Sequence, residues 1–268
     1  MAEDETLALI PALHSDGKES SASLQIITND KAFSISYPKI RFNEDKFRIK
    51  IGQNYFSKKG ICLNIETNNY SIHGKLRFGI FHKIKYSIMG PFRYIPFMQC
   101  KHNVISMRHV VTGTIKINDK VYCFNEGIGY IEGDCGCSFP KEYIWTQCHF
   151  PNGSIMLSVA DIPMLGFHFR GIIGIVMIAG KEYRIATYLG ARVSLISDDT
   201  VVIKQGKYTL YAKLIESKHQ KLNAPVCGKM TRIIHESASC KARYLFICED
   251  KILLDFTSEN ASFEYEFK

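Results

Sequence analysis

The sequence predicts an all-β fold, built as two antiparallel β-barrel or sandwich units in tandem. Three observations predict it. Apolar residues recur at every second position along most of the chain, short turn signals punctuate these runs, and helical periodicity is almost absent. So many strands fill two sheets or barrels more comfortably than one.

In chain order, the alternation runs through "SLQIIT" (residues 23–28), "KFRIKI" (46–51), "GICLNIE" (60–66), "YSIHGKLRFGIF" (70–81) and "TGTIKI" (112–117). It returns in "GSIMLSVAD", "FHFRGIIGIVMI", "KEYRIATYL", "TVVIKQGKYTLYAKLIE", "ARYLFI", "KILLDFTS" and "SFEYEF". Turn signals at Asn118, Pro151, Ala179, Ser197 and Cys248 suit antiparallel hairpins. One stretch breaks the pattern: Met89 to His109 carries Pro91 and Pro96, three interleaved aromatics, His102 and His109. Proline cannot donate to a sheet ladder, so this stretch is expected to cross between strands or run along an edge. A second break, Phe139-Pro140, is taken as the boundary between an N-terminal β unit (1–139) and a C-terminal one (140–268).

The chain has 268 residues, 46% hydrophobic and 12% aromatic, which argues for a folded protein with a sizeable core. Its net charge of +8 is read as lysines and arginines scattered over a solvated surface, with no basic block to mark a nucleic-acid partner. The longest apolar run, Gly171 to Gly180, is far short of the ~20 residues a spanning helix needs. No basic-then-hydrophobic leader opens the chain, so neither a signal peptide nor stable membrane insertion is expected. Nine cysteines lack the spacing of a disulfide scaffold. Cys62, Cys100, Cys123, Cys227, Cys240 and Cys248 read as small core residues, and the compartment as cytoplasmic.

The chemistry-bearing stretch is "GYIEGDCGCSFPKEYIWTQCHF", Gly129 to Phe150. As a metal site, Cys135, Cys137, Cys148 and His149 have the wrong spacing for zinc, and adjacent strand residues point to opposite faces. No metal is expected. No nucleophile elbow, phosphate loop or dinucleotide fingerprint occurs, so no cofactor is expected either. Glu132 and Asp134 lie two apart and share a strand face with Tyr130. Facing inward, such an acid would be desolvated and suited to general-acid work; facing outward, it would be an ordinary polar residue. Tyr143, Trp145 and Gln147 share a second face that could wall an apolar pocket or simply pack. His102 and His109 read either as proton shuttles or as hydrogen-bonded structural groups.

These residues resemble the tocopherol cyclase family. The resemblance rests on Glu132, Gly136, Phe139, Pro140, Trp145, Gln147 and Cys148, with Pro96-Phe97, His102 and Gly113 upstream and "LNAPVCG" (residues 222–228) downstream. Bacterial relatives resemble the whole chain, and they carry a Gly-Trp strand ahead of the segment matched here. The resemblance implies a pair of lipocalin-like units with a pocket at or near their junction. It also implies acid-initiated ring closure: a prenyl double bond is protonated and a phenol oxygen captures the cation. Gly133-Asp134-Cys135 replaces the plant Lys-Asn-Trp, so the plant substrate is not carried over.

The expected function is a cofactor-independent cyclase or isomerase acting on an apolar, prenylated or polyene small molecule. Glu132 is the expected proton donor, with Asp134 as the runner-up. His102 and His109 are expected to assist proton transfer. Tyr130, Tyr143, Trp145, Gln147 and Phe97 are expected to line the pocket. The competing expectation is a lipocalin-type carrier that binds a hydrophobic small molecule without chemistry.

Overall fold

The computed structural model describes residues 5–15, 20–38, 48–96, 98–164, 167–217, 220–226 and 229–267. The alternating runs form strands, and all strand pairs with an assigned register are antiparallel. Among the described residues there is no α-helix, only two short 3-10 turns, Gly90–Tyr94 and Thr187–Leu189.

The strands make three sheets. The first holds β1 (Leu7–Ser15), β2 (Ser20–Thr28) and β3 (Ala32–Tyr37). The second is a six-stranded meander of β4 (Arg48–Ile51), β5 (Asn54–Ser57), β6 (Gly60–Glu66), β7 (Ser71–Phe78), β8 (Cys100–Ile117) and β9 (Lys120–Gly136). The third holds β10 (Tyr143–Phe150), β11 (Gly153–Met164), β12 (Phe167–Ile178), β13 (Lys181–Ala186), β14 (Arg192–Ser197), β15 (Thr200–Gln205), β16 (Tyr208–Glu216), β17 (Gln220–Val226), β18 (Lys229–Cys248) and β19 (Lys251–Tyr265). Its order is β13-β12-β11-β10-β19-β18-β16-β15-β14, with β17 paired to β18.

The hairpin turns form where the sequence supplies residues that tolerate a left-handed backbone. Asn118 (φ 51°), Asp198 (φ 49°), Asp199 (φ 59°) and Glu249 (φ 54°) occupy such positions, and Ala179 (φ 47°) precedes Gly180 (φ 79°). A left-handed pair of central residues matches the twist of the flanking strands.

The chain folds into two compact units. The first comprises residues 1–83 and 108–131, the second residues 84–107 and 132–268. Phe139-Pro140 falls inside the second. Strands β8 and β9 each contribute residues to both units, so a unit boundary in this chain does not coincide with a single break in sequence.

The first unit is cored by Leu24 and Ile26 of β2 with Leu63, Ile72, Leu76 and Ile115 of β6, β7 and β8. The second unit is a curled, lipocalin-like antiparallel sheet. Ile144 and Leu157 near one end of the strand order share one core with Val201 and Leu210 near the other, and Tyr244, Phe246 and Phe263 fill its centre. The concave interior is therefore packed with side chains, most of them with under a tenth of their surface exposed.

The stretch Met89 to His109 is not wholly irregular. Its first half turns at Gly90–Tyr94, and from Cys100 it is strand β8. Cys123 is exposed rather than buried, because its strand neighbour Tyr122 takes the core-facing position.

Candidate active site

Strands β8 and β9 place the candidate acids in the second unit. The backbone N–H of Cys137 donates to the Gln99 carbonyl (2.9 Å), fixing the register at the strand ends. Gly136 makes the close approach possible, since a Cβ there would fall 2.0 Å from the Gln99 oxygen. Three residues further along each strand, His102 and Asp134 face each other.

His102 is the centre of the site. Its Nδ1 lies 2.8 Å from Asp134 Oδ1, and its Nε2 lies 3.0 Å from Glu132 Oε2. The first contact is an in-line hydrogen bond; the second is an off-line ion-pair contact. The indole N–H of Trp145 on β10 donates to the same Glu132 oxygen at 3.1 Å. Only 10% of the His102 side chain is exposed. Burial pushes the imidazole pKa down, but Glu132 and then Asp134 outweigh it and raise it to about 10. The ring therefore holds a proton between two carboxylates at neutral pH. The His73–Glu66 and His168–Asp161 pairs, by contrast, stand at the surface, with 41% and 63% of the imidazole side chains exposed. Solvent screens those exposed imidazoles, whereas the His102 ring is shielded from it.

Cys100, two residues before His102 on the same strand face, approaches Asp134 Oδ1 at 3.5 Å. Burial and the nearby Asp134 charge push its thiol pKa up, so it stands as a neutral group beside the cluster.

The corner between β9 and β10 is held by a residue that no sequence motif marks. Arg232 of β18 donates from Nη1 to the Pro140 carbonyl (2.7 Å) and from Nη2 to the Lys141 carbonyl (2.8 Å), and pairs with Glu266 at 3.3 Å. Phe139 meets Tyr143 edge-on at 6.3 Å. These contacts fix the strand that carries Trp145. No spacing rule links Arg232 to a corner some ninety residues earlier.

The other expected site residues fall as follows. Tyr143 is buried and donates its hydroxyl to Glu264 (2.5 Å); burial and that carboxylate raise its pKa. Gln147 is buried and its amide meets His149 Nε2 at 3.1 Å. Tyr130 is half-buried on β9 in the first unit. His109 is also in the first unit, between the rings of Phe78 (4.8 Å) and Phe81 (4.9 Å). Burial, with a smaller contribution from His82, lowers its pKa to about 4, so it is a neutral packed ring. Phe97 lies outside the described residues, as do Cys227 and Gly228 of the 222–228 motif. Cys148 points into the core, where burial pushes its thiol to about 11, while His149 takes the opposite strand face. A separate cleft of about 390 Å³ in the second unit is lined by residues including Glu142, Arg170, Asp198 and Tyr265. None of its lining residues belongs to the His102 cluster.

Fold and site together define an all-β, lipocalin-like protein carrying a buried imidazolium between two partly exposed carboxylates, one of which accepts from an indole N–H. Residues 48–175, just under half of the chain, match the family described as tocopherol cyclase-like. Curated protein sequences give no match. Three solved structures share the fold. Kievitone hydratase from Nectria haematococca aligns with a TM-score of 0.58 at 8% identity, covering 98% of this chain and 85% of that one. CghA aligns with a TM-score of 0.58 at 9% identity, covering 98% and 88%. A protein described as AttH, from Nitrosomonas europaea, aligns with a TM-score of 0.52 at 7% identity, covering 98% and 87%.

Proposed function

We propose that this protein is a cofactor-independent cyclase or isomerase acting on an apolar, prenylated or polyene small molecule, with His102, Glu132 and Asp134 as its acid–base centre. The single observation that carries the proposal is the buried His102, held as an imidazolium between two carboxylates with an indole donating to one of them. The match to the tocopherol cyclase-like family and the likeness to a protein named as a hydratase support a catalytic role of the cyclase or hydratase type.

The cluster supplies a closed proton cycle. Once the Nε2–H and the Glu132 oxygen come into line across their 3.0 Å contact, transfer of that proton turns Glu132 into a carboxylic acid. That acid protonates a substrate double bond, and the face of an aromatic ring such as Trp145 stabilises the carbocation. A substrate hydroxyl oxygen attacks the cation and loses its proton to the neutral imidazole, which restores the resting state. No proton is consumed and the product is an isomer. If water captures the cation instead, the outcome is hydration. Asp134, with 31% of its side chain exposed, orients the imidazole and links it to solvent.

The test is turnover in D2O. Prenylated phenols and polyenes are incubated with the protein and the products read by mass spectrometry. The expected result is one carbon-bound deuterium per product molecule. Glu132→Gln is expected to abolish turnover while ligand binding, followed by emission of Trp145, persists. Binding without turnover for every compound tried would establish the carrier instead. The packed interior of the curled sheet argues against a carrier of the open-calyx type.

A further inference from the structure

The net charge of +8 is concentrated in one part of the chain. From Thr67 to Asn118 there is no aspartate or glutamate, but there are eight lysines and arginines; the rest of the chain is balanced, with 26 of each sign. The second unit displays part of this stretch as an anchored surface turn. Gly90–Tyr94 makes a 3-10 turn with Pro91 near its start. The turn is fastened from inside. Phe92 meets Tyr188 edge-on at 5.7 Å and Phe169 at 6.0 Å. Gly90 (φ 50°) lies flat against the Tyr188 ring, where a Cβ would fall 2.4 Å from Cζ. Arg184 donates to the carbonyls of Ser87 and Tyr86, both at 2.9 Å.

Besides Tyr86, which is half exposed, the segment presents Tyr94 outward among cations. Tyr94 is 78% exposed. Arg93 lies over its ring at 5.3 Å, and Lys101 donates to the Arg93 carbonyl at 3.3 Å. Lys85, Arg93 and Lys101 are all exposed, as are Pro91, Pro96 and, next to Tyr188, Leu189. Of the acids that touch this segment, Glu182 is buried and paired to Arg184 at 2.9 Å, and Asp134, 31% exposed, is engaged by His102 at 2.8 Å. A single exposed ring is ordinary by itself; its setting among exposed cations is what marks this turn.

We propose that the Arg93–Tyr94 tip, with Lys85 and Lys101, docks the protein onto the surface of an anionic lipid bilayer. Tyrosine favours the headgroup region, where its ring is sheltered and its hydroxyl stays wet. Exposed lysines and arginines are drawn to anionic headgroups within a Debye length. Either signal alone anchors weakly, and the tip offers both. The association proposed is peripheral, through side chains at the surface of this turn. The inference stands independently of the proposed chemistry, since docking needs no turnover.

Sedimentation of the full chain with phosphatidylcholine vesicles, with and without phosphatidylserine, tests it. The expected result is binding to the anionic vesicles only, weakened by added salt. Tyr94→Ser is expected to weaken it about fivefold, and Arg93→Glu with Lys101→Glu at least about tenfold, with near-ultraviolet circular dichroism unchanged. Absence of binding to anionic vesicles, or equal binding by wild type and both variants, would overturn the proposal. Binding to DNA or polyglutamate as tight as to vesicles and indifferent to Tyr94→Ser would equally overturn it, by showing a polyanion site.

Discussion

His102 and Asp134 face each other across the β8–β9 ladder, Nδ1 to Oδ1 at 2.8 Å, with Glu132 on the far side of the same ring. This sandwich raises the imidazole pKa above its ordinary 6.5, to about 10, in spite of burial. A raised histidine pKa contributes stability in full below the unfolded value of 6.5, and that contribution is lost as pH rises through about 10. Asp134→Asn removes one carboxylate. The His102 midpoint, followed by NMR, is expected to fall by about one pH unit or more. The stability advantage of wild type over the variant should shrink between pH 6.5 and 10. A midpoint unchanged by the substitution would remove Asp134 from the cluster.

His109 carries the opposite sign. Burial between Phe78 and Phe81 lowers its pKa from 6.5 to about 4, so between these values the unfolded chain binds a proton that the folded one does not. Stability therefore falls as pH drops from about 6.5 to 4, and His109→Gln should flatten that slope while lowering the plateau. Urea midpoints taken across this range decide the matter. A slope equal in both proteins would assign the acid lability to another group.

Much of this fold is legible in the sequence because strand alternation and hairpin chemistry are local. "GICLNIE" is strand β6 residue for residue, and Asn118 and Asp198 sit at the left-handed positions that their side chains tolerate. Glu132 and Asp134 are legible as same-face acids because they are two apart on one strand. His102 is legible as a candidate proton shuttle, but its pairing with them is not, since it lies some thirty residues away and meets them through strand register. Arg232 and Arg184 are not legible at all: each grips backbone carbonyls about ninety residues distant, and carbonyls leave no mark in a sequence. The charge pattern is present in the sequence but reads as scattered, because eight cations spread over 52 residues never form a block; the missing acids carry the signal.

Gly136 tests whether strand approach sets the site. With the Gln99 oxygen 2.0 Å from where a Cβ would lie, and Cys100 Cα at 2.8 Å, Gly136→Ala must push β9 away from β8. The expected cost is about 1–3 kcal/mol of stability, typical of forced overpacking. The His102–Asp134 bond should lengthen, so the His102 midpoint should move down toward 6.5 as in Asp134→Asn. Gly133→Ala lies on the same strand with nothing within 4 Å of its added Cβ, so it is the matched control and should leave both properties alone. A His102 midpoint indifferent to Gly136→Ala would show that the bond does not depend on this approach.

Arg184 fastens the segment that precedes β8. With side-chain exposures of 5% and 6%, Arg184 and Glu182 form an ion pair shielded from water at 2.9 Å. Arg184 also caps the Tyr86 and Ser87 carbonyls, and its guanidinium stacks 3.7 Å from the Tyr86 ring. Removing one partner of such a pair strands the other as a buried charge, which costs about 3–5 kcal/mol. Arg184→Ala is therefore expected to lower the urea midpoint sharply and to speed amide exchange at the N–H of Lys85, which donates to Glu182 at 2.9 Å. Arg184→Met with Glu182→Leu removes both charges while keeping apolar bulk, and should recover much of the lost stability. The double variant should still exchange fast at Lys85, because its carboxylate acceptor is gone. If the single and double variants were equally unstable, the guanidinium's bonds to the Tyr86 and Ser87 carbonyls, rather than the ion pair, would be what secures the segment.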